Sequence, residues 1–220
     1  MNPRLFQAFW LIAVIIGAAL SAQTAQADWT LQKDDEGIRV HTRPNPNSSL
    51  DEFKGTVELR ARLSSLVKLI RDADHSQDWM HSSGGTEVVT KISIKEQIVR
   101  NITLSPWPVR DRDVILKASS YQDPKTLIIT IELHSLSNHA PEREGFVRMP
   151  QLDGRWVFKP VAQDMVQVSY QLKIDPGGSI PGWIARSSTT DIPFNTLKQM
   201  REIVKKPAYK MAELGDITEP

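Results

Sequence analysis

The chain has 220 residues, 24% of them charged and 40% hydrophobic, with 27 Lys and Arg against 26 Asp and Glu and no Cys. A formal net charge of +1 argues against nucleic acid as a partner and against long-range attraction to an acidic bilayer. Without cysteine the fold cannot rely on disulfides, and a lipid-modified cysteine is excluded.

Residues 1–27 read as a secretory signal. Arg4 is their only charge, Ala8–Leu20 is a run of apolar residues and Gly, and Ala25-Gln26-Ala27 forms a small-x-small cleavage pattern. The run is shorter than the roughly 20 residues of a membrane span; an uncleaved anchor is the alternative reading. Cleavage near Ala27 removes Arg4 and balances the charge. The expected destination is the periplasm or the medium. Residues 28–220 are long enough for one domain with a sizeable core.

Ile38–Arg43 and Glu52–Arg60 are predicted strands, joined by the turn-rich segment Pro44–Ser49. Leu63, Leu66, Val67 and Ile70 fall at i, i+3, i+4 and i+7, the spacing of an amphipathic helix ending near Ala73. Asp72–Gly85 is polar and irregular, with Trp79 as its large apolar anchor. From Thr86 the period becomes two. Ile98, Arg100, Ile102 and Leu104 alternate with Val99, Asn101, Thr103 and Ser105. Leu127, Ile129, Ile131 and Leu133 form another such row, and Val166, Val168, Tyr170, Leu172 and Ile174 a third. Val114–Ser120, Phe146–Met149 and Arg155–Val161 lie between them. One apolar and one wet face predict an antiparallel sheet covered on one side, hence an α+β fold.

A turn at Asp175–Trp183 leads into a last helix over about Ile180–Lys205, with Pro181 in its first turn. A helix laid across a finished curved sheet can roof a cavity. Pro193 is expected to kink or interrupt this helix, and Ser187, Ser188, Asp191 and Asn195 make its middle polar. Residues 207–220 are taken as a tail.

Chemistry-bearing constellations are weak. Asp72, Asp74, His75 and His81 are a loose carboxylate–histidine group in an irregular segment, better read as a solvated loop than a metal site. Pro176-Gly177-Gly178-Ser179 lacks the Lys and Ser/Thr of a phosphate loop, and its glycines point to unusual backbone angles. No nucleophile elbow or His-Glu-x-x-His motif occurs. The protein is therefore not expected to be an enzyme, and no cofactor or metal is expected.

Two segments are distinctive: Pro106-Trp107-Pro108-Val109-Arg110-Asp111-Arg112-Asp113 and Asp175-Pro176-Gly177-Gly178-Ser179-Ile180-Pro181-Gly182-Trp183. With Trp79, Val147-Arg148 and Gly154-x-Trp156-x-Phe158-x-Pro160 in support, the stretch 28–206 resembles the START domain, the steroidogenic acute regulatory protein-related lipid-transfer family. The resemblance implies a helix-grip fold, in which a U-shaped antiparallel sheet wraps the C-terminal helix around a lipid-sized tunnel. It also implies non-catalytic binding of a phospholipid, sterol or fatty-acid-like ligand, with transient membrane contact and a lid formed by the helix. Each buried CH₂ contributes about 0.8 kcal/mol to such binding.

The departures matter. The positions that match the family's phosphocholine cage carry Asn101, Val114 and approximately Leu152, and the charged-pair positions fall near Ser76 and Met80. A phosphocholine cage is not supported. Arg100 is expected to point inward, as in the acidic–basic pair of sterol binders, with its partner unassigned. Arg112 and Asp113 either orient a headgroup or form a structural ion pair. Wall and lid candidates are Trp79, Arg100, Ile102, Leu104, Arg112, Ile129, Ile131, Trp156, Tyr170, Leu172, Ile184, Ser188, Asp191, Ile192 and Asn195. Two other readings are a cyclase- or hydrolase-type enzyme on the same fold, using Arg100 and Asp191, and an envelope interaction module with a filled core.

Overall fold

The computed structural model describes residues 28–220; the expected leader lies outside the described residues. Three strands come first: β1 (Thr30–Asp35), β2 (Ile38–Arg43) and β3 (Glu52–Arg60). Helix α1 (Leu63–Arg71) and a 3-10 turn (Ala73–Asp78) follow. The sheet resumes with β4 (Ser83–Lys91), β5 (Glu96–Thr103), β6 (Arg112–Gln122), β7 (Ile129–Ser135), β8 (Val147–Arg148), β9 (Gln151–Ala162) and β10 (Met165–Asp175). Helices α2 (Gly182–Ile203) and α3 (Pro207–Lys210) close the chain.

All ten strands form one curved sheet, nine of them in the order β1-β2-β3-β10-β9-β7-β6-β5-β4 and β8 off this path beside β6. It is antiparallel except that β8 pairs with β6 in parallel. The fold is therefore the α+β arrangement predicted, a sheet gripping a long C-terminal helix. The sequence pattern passes over β1. Thr30–Asp35 is nearly all exposed, so no apolar alternation marks it, and backbone pairing with β2 alone defines it.

α1 forms because its apolar residues share one face. Leu63, Leu66, Val67 and Leu69 are buried together with Ile129, Phe158, Val166 and Val168. Its first N–H groups have no cap from Arg62. The Glu219 carboxylate accepts from the Leu63 and Ser64 N–H groups instead, both at 2.9 Å, which places a negative charge at the positive end of the helix. At the other end, Arg71 grips Asp216 through both carboxylate oxygens at 3.1 and 2.8 Å. Residues 207–220 are consequently no tail. Tyr209 and Ala212 are buried, and the segment closes over α1, a partnership that local periodicity does not register.

α2 packs on β2 and β3. Gly55 makes this close: a Cβ there would sit 2.8 Å from Leu197 Cδ1 and 3.5 Å from Pro193 Cβ. Helix α2 runs through Pro193 without interruption, so of the kink or interruption expected there the interruption does not occur. Pro193 is buried, and packing at the glycine gap holds the turn together where one backbone bond is lost. Pro181 stands one position outside the helix as its N-cap, its carbonyl accepting from Ile184 and Ala185 N–H.

Candidate functional site

The inner face of the sheet is filled at one end and hollow at the other. The hollow is a chamber of about 220 Å³ between the sheet, the 3-10 turn and the N-terminal half of α2. Its floor is aromatic. Trp156 stacks on Tyr170 at 3.8 Å and 6°, Trp79 lies 5.9 Å from Trp156, and Phe53 meets Tyr170 edge-on at 5.2 Å. Burial pushes the Tyr170 hydroxyl well above its ordinary pKa, so it stays protonated.

Nine of the predicted residues line this chamber: Trp79, Leu104, Arg112, Trp156, Tyr170, Leu172, Ile184, Ser188 and Ile192. Six do not. Ile129 and Ile131 point to the inner face but lie at its filled end, buried in the core cluster. Arg100 and Ile102 are on the opposite face. In β5 the wall is made by Gln97, Val99, Asn101 and Thr103, the set alternating with Ile98, Arg100 and Ile102. A shift of one residue exchanges the faces of a strand, and choosing the more apolar row selects the wrong one. Pairing with β6 held the missing signal. Val99 faces Leu116 and Asn101 faces Val114, whereas the alternate row of β6 carries Asp113 and Lys117.

Arg100 finds its partner on that outer face. Asp113 is fully buried and accepts from Arg100 Nη1 and from Arg148 Nε and Nη2, the latter two at 2.9 and 3.0 Å. Arg100 Nη2 and Arg148 Nη2 also donate to the Pro141 carbonyl, at 3.0 and 3.1 Å. The bond to Asp113 raises the Arg148 pKa above its ordinary value against the effect of burial. This triad straps the segment before β8 across the outside of the sheet. Asp113 is thus structural, while its neighbour Arg112 faces inward by strand alternation.

On α2 the wall-facing residues Ile184, Ser188, Ile192 and Thr196 follow one i+4 ridge, which is inclined to the helix axis. Asp191 and Asn195 continue the adjacent ridge begun at Ser187. Of that ridge only Ser187 reaches the wall, and its hydroxyl donates to Asp191 Oδ2 at 2.9 Å. Thr196 Oγ1 accepts from His81 N–H at 3.1 Å, tying α2 to the segment after the 3-10 turn.

The turn before α2 forms as its glycines suggest. Gly177 and Gly178 have φ of +65° and +62°, and Gly177 N–H donates to Asp175 Oδ1 at 3.0 Å. A Cβ on Gly177 would sit 2.9 Å from the Arg148 carbonyl. In the proposed carboxylate–histidine group, Asp72 is engaged by His75 Nδ1 and the Tyr209 hydroxyl, each at 2.8 Å. Among the described residues no three His, Asp or Glu side chains gather as a metal set.

Buried polar atoms without a partner cluster here. Among the described residues they belong to His41, Ser76, Trp79 and Arg112, and the last three line the chamber. Buried donors are ordinarily satisfied, and three of these four atoms lie in one hollow.

A curved antiparallel sheet gripping a C-terminal helix over a hollow defines a helix-grip protein. Residues 17–210 match the family model described as START domain, and the chain belongs to that family. It is 31% identical over 196 residues to an uncharacterised protein of Pseudomonas aeruginosa, covering 89% of this chain and 95% of that one. The crystal structure of a STAR-related lipid transfer protein from Xanthomonas axonopodis is similar, with a TM-score of 0.73 and 36% identity over 81% of this chain and 99% of that chain. Human STARD10 shares the fold at a TM-score of 0.71 and 20% identity, over 83% of this chain and 75% of that chain.

Proposed function

We propose that the protein is a non-catalytic carrier that binds one hydrophobic ligand in the chamber and exchanges it at membranes. The observation that carries this is a hollow floored by Phe53, Trp79, Trp156 and Tyr170 at the heart of the fold, where a packed core would otherwise be expected. The similarity to a structure called a STAR-related lipid transfer protein supports it. Arg100 and Asp191, the pair an enzymatic reading would use, both stay off the wall, which favours carriage over turnover.

The rim supports membrane contact. Leu104 and Trp183 line the opening and are 49% and 53% exposed, and Trp107, in the same loop as Leu104, is 90% exposed. Exposed tryptophans beside an opening suit the interface between water and lipid. Export to the periplasm or medium with removal of residues 1–27 completes the proposal, supported by the apolar run and cleavage pattern of that segment.

Native mass spectrometry with lipid extraction tests the reading. We expect one hydrophobic molecule per chain, and an N-terminus at Asp28 in protein recovered from the exporting cell. A chamber that takes up no sterol, phospholipid or fatty acid would overturn it.

A further inference from the structure

Among the described residues, Arg112 stands apart from the other buried charges. It is 5% exposed, lines the chamber, and has no carboxylate within ion-pair distance among the described residues. Its Nη1 donates to the Ser105 hydroxyl at 3.4 Å and to the Arg110 carbonyl. Its Nε has no acceptor. Burial pushes the guanidinium pKa below its ordinary value, and the nearby Arg110 charge acts in the same direction against Asp111.

The other buried arginine shows what a structural role looks like here. Arg100 is nearly as buried as Arg112, but it shares a buried carboxylate with Arg148 and donates to a carbonyl. A buried cation is costly unless paired, and Arg112 lacks that pairing. The remaining acidic side chain of the wall, Asp72, is already engaged by His75 and Tyr209. The chamber therefore combines an apolar, aromatic interior with one guanidinium that has no ion-pair partner among the described residues.

We infer that Arg112 anchors the oxyanion head of an amphiphilic ligand, a carboxylate or phosphate on an alkyl chain that occupies the chamber. A guanidinium fork matches either oxyanion geometrically, and Nε supplies a donor still free for it. This rests on the carrier reading and adds the charge class of the cargo.

The test uses the full chain and four probes: palmitate, hexadecyl phosphate, hexadecanol and inorganic phosphate. The three alkyl probes share one chain and differ in the head. A charge-assisted hydrogen bond contributes about 1.5–3 kcal/mol, which corresponds to roughly tenfold to a hundredfold in affinity. Wild-type protein is expected to prefer palmitate or hexadecyl phosphate over hexadecanol by that ratio, and whichever anion is preferred identifies the head. In Arg112→Gln the ratio should fall to about one with hexadecanol binding retained. In Arg112→Lys part of the preference should survive. Equal wild-type affinity for hexadecanol and both anions would overturn the anchor and leave the carrier reading intact, and so would a preference unchanged in Arg112→Gln. Inorganic phosphate competing as well as hexadecyl phosphate would reassign the site to a free anion. Uptake of none of the alkyl probes would remove the carrier reading itself. The wild-type comparison decides the matter even if the variants fail to fold.

Discussion

The two ends of the inner sheet face are built from the same rows of side chains yet have opposite fates. In β7, Ile129 and Ile131 are buried in the core, whereas Leu133, next in the row, lines the chamber. In α2, Leu197, Met200 and Ile203 fill space, whereas Ile184, Ser188 and Ile192 border it. Strand patterning is the same throughout; the difference lies in what is laid on top. One end receives most of α1, α3 and the C-terminal segment, and the other is roofed by the 3-10 turn segment and the N-terminal half of α2. Whether an apolar row becomes core or chamber is thus decided by elements distant in sequence.

The largest effect should come from making the same cut at both ends. Leu66→Ala removes a fully buried side chain from the filled end and is expected to cost about 2–5 kcal/mol, because a cavity opens where packing was complete. Leu133→Ala trims a half-buried chamber wall and should cost only about 1 kcal/mol, while altering ligand uptake. Denaturant midpoints measure the first contrast and ligand titration the second. Equal stability losses would mean that the two ends are packed alike.

This division explains what the sequence could disclose. β2 and β3 begin and end where alternation and turn residues place them, since both signals are local. The helix-grip arrangement was legible through the two Pro-rich segments around Trp107 and Gly177. The chamber wall was legible on β9 and β10, where Trp156, Tyr170 and Leu172 have the only apolar row of their strand. It was not legible on β5, where both rows contain apolar residues and the strap held by Asp113 buries the outer one. The capping of α1 by Glu219, 156 residues away, left no local trace at all.

That cap gives a second, smaller contrast. Glu219→Ala strips the acceptor from the Leu63 and Ser64 N–H groups and the negative charge from the start of α1. It is expected to cost about 0.5–2 kcal/mol, visible as a lower unfolding midpoint. Ligand affinity should stay the same, because Glu219 belongs to the filled end. A variant that loses ligand but keeps its stability would join the two ends and break the distinction.

The smallest predicted effect sits on the seam between the ends, where Asp72 borders the chamber and also binds Tyr209 of α3. The hydrogen bond and charge of Asp72 raise the His75 pKa above its ordinary 6.5. The folded state then holds the His75 proton more tightly than the unfolded one. The resulting stability is fully present below pH 6.5 and is lost as pH rises through the folded value. His41 works in the other direction: burial, aided by Lys54 and Arg39, lowers its pKa from 6.5, so its contribution is lost as pH falls. The wild-type profile mixes the two. Subtracting the profile of His75→Gln should isolate a difference that is greatest below pH 6.5 and shrinks above it. Because His75 is exposed, the difference should also shrink with added salt. A difference that grew with pH would have the wrong sign for an ion pair with Asp72 and would detach His75 from the seam.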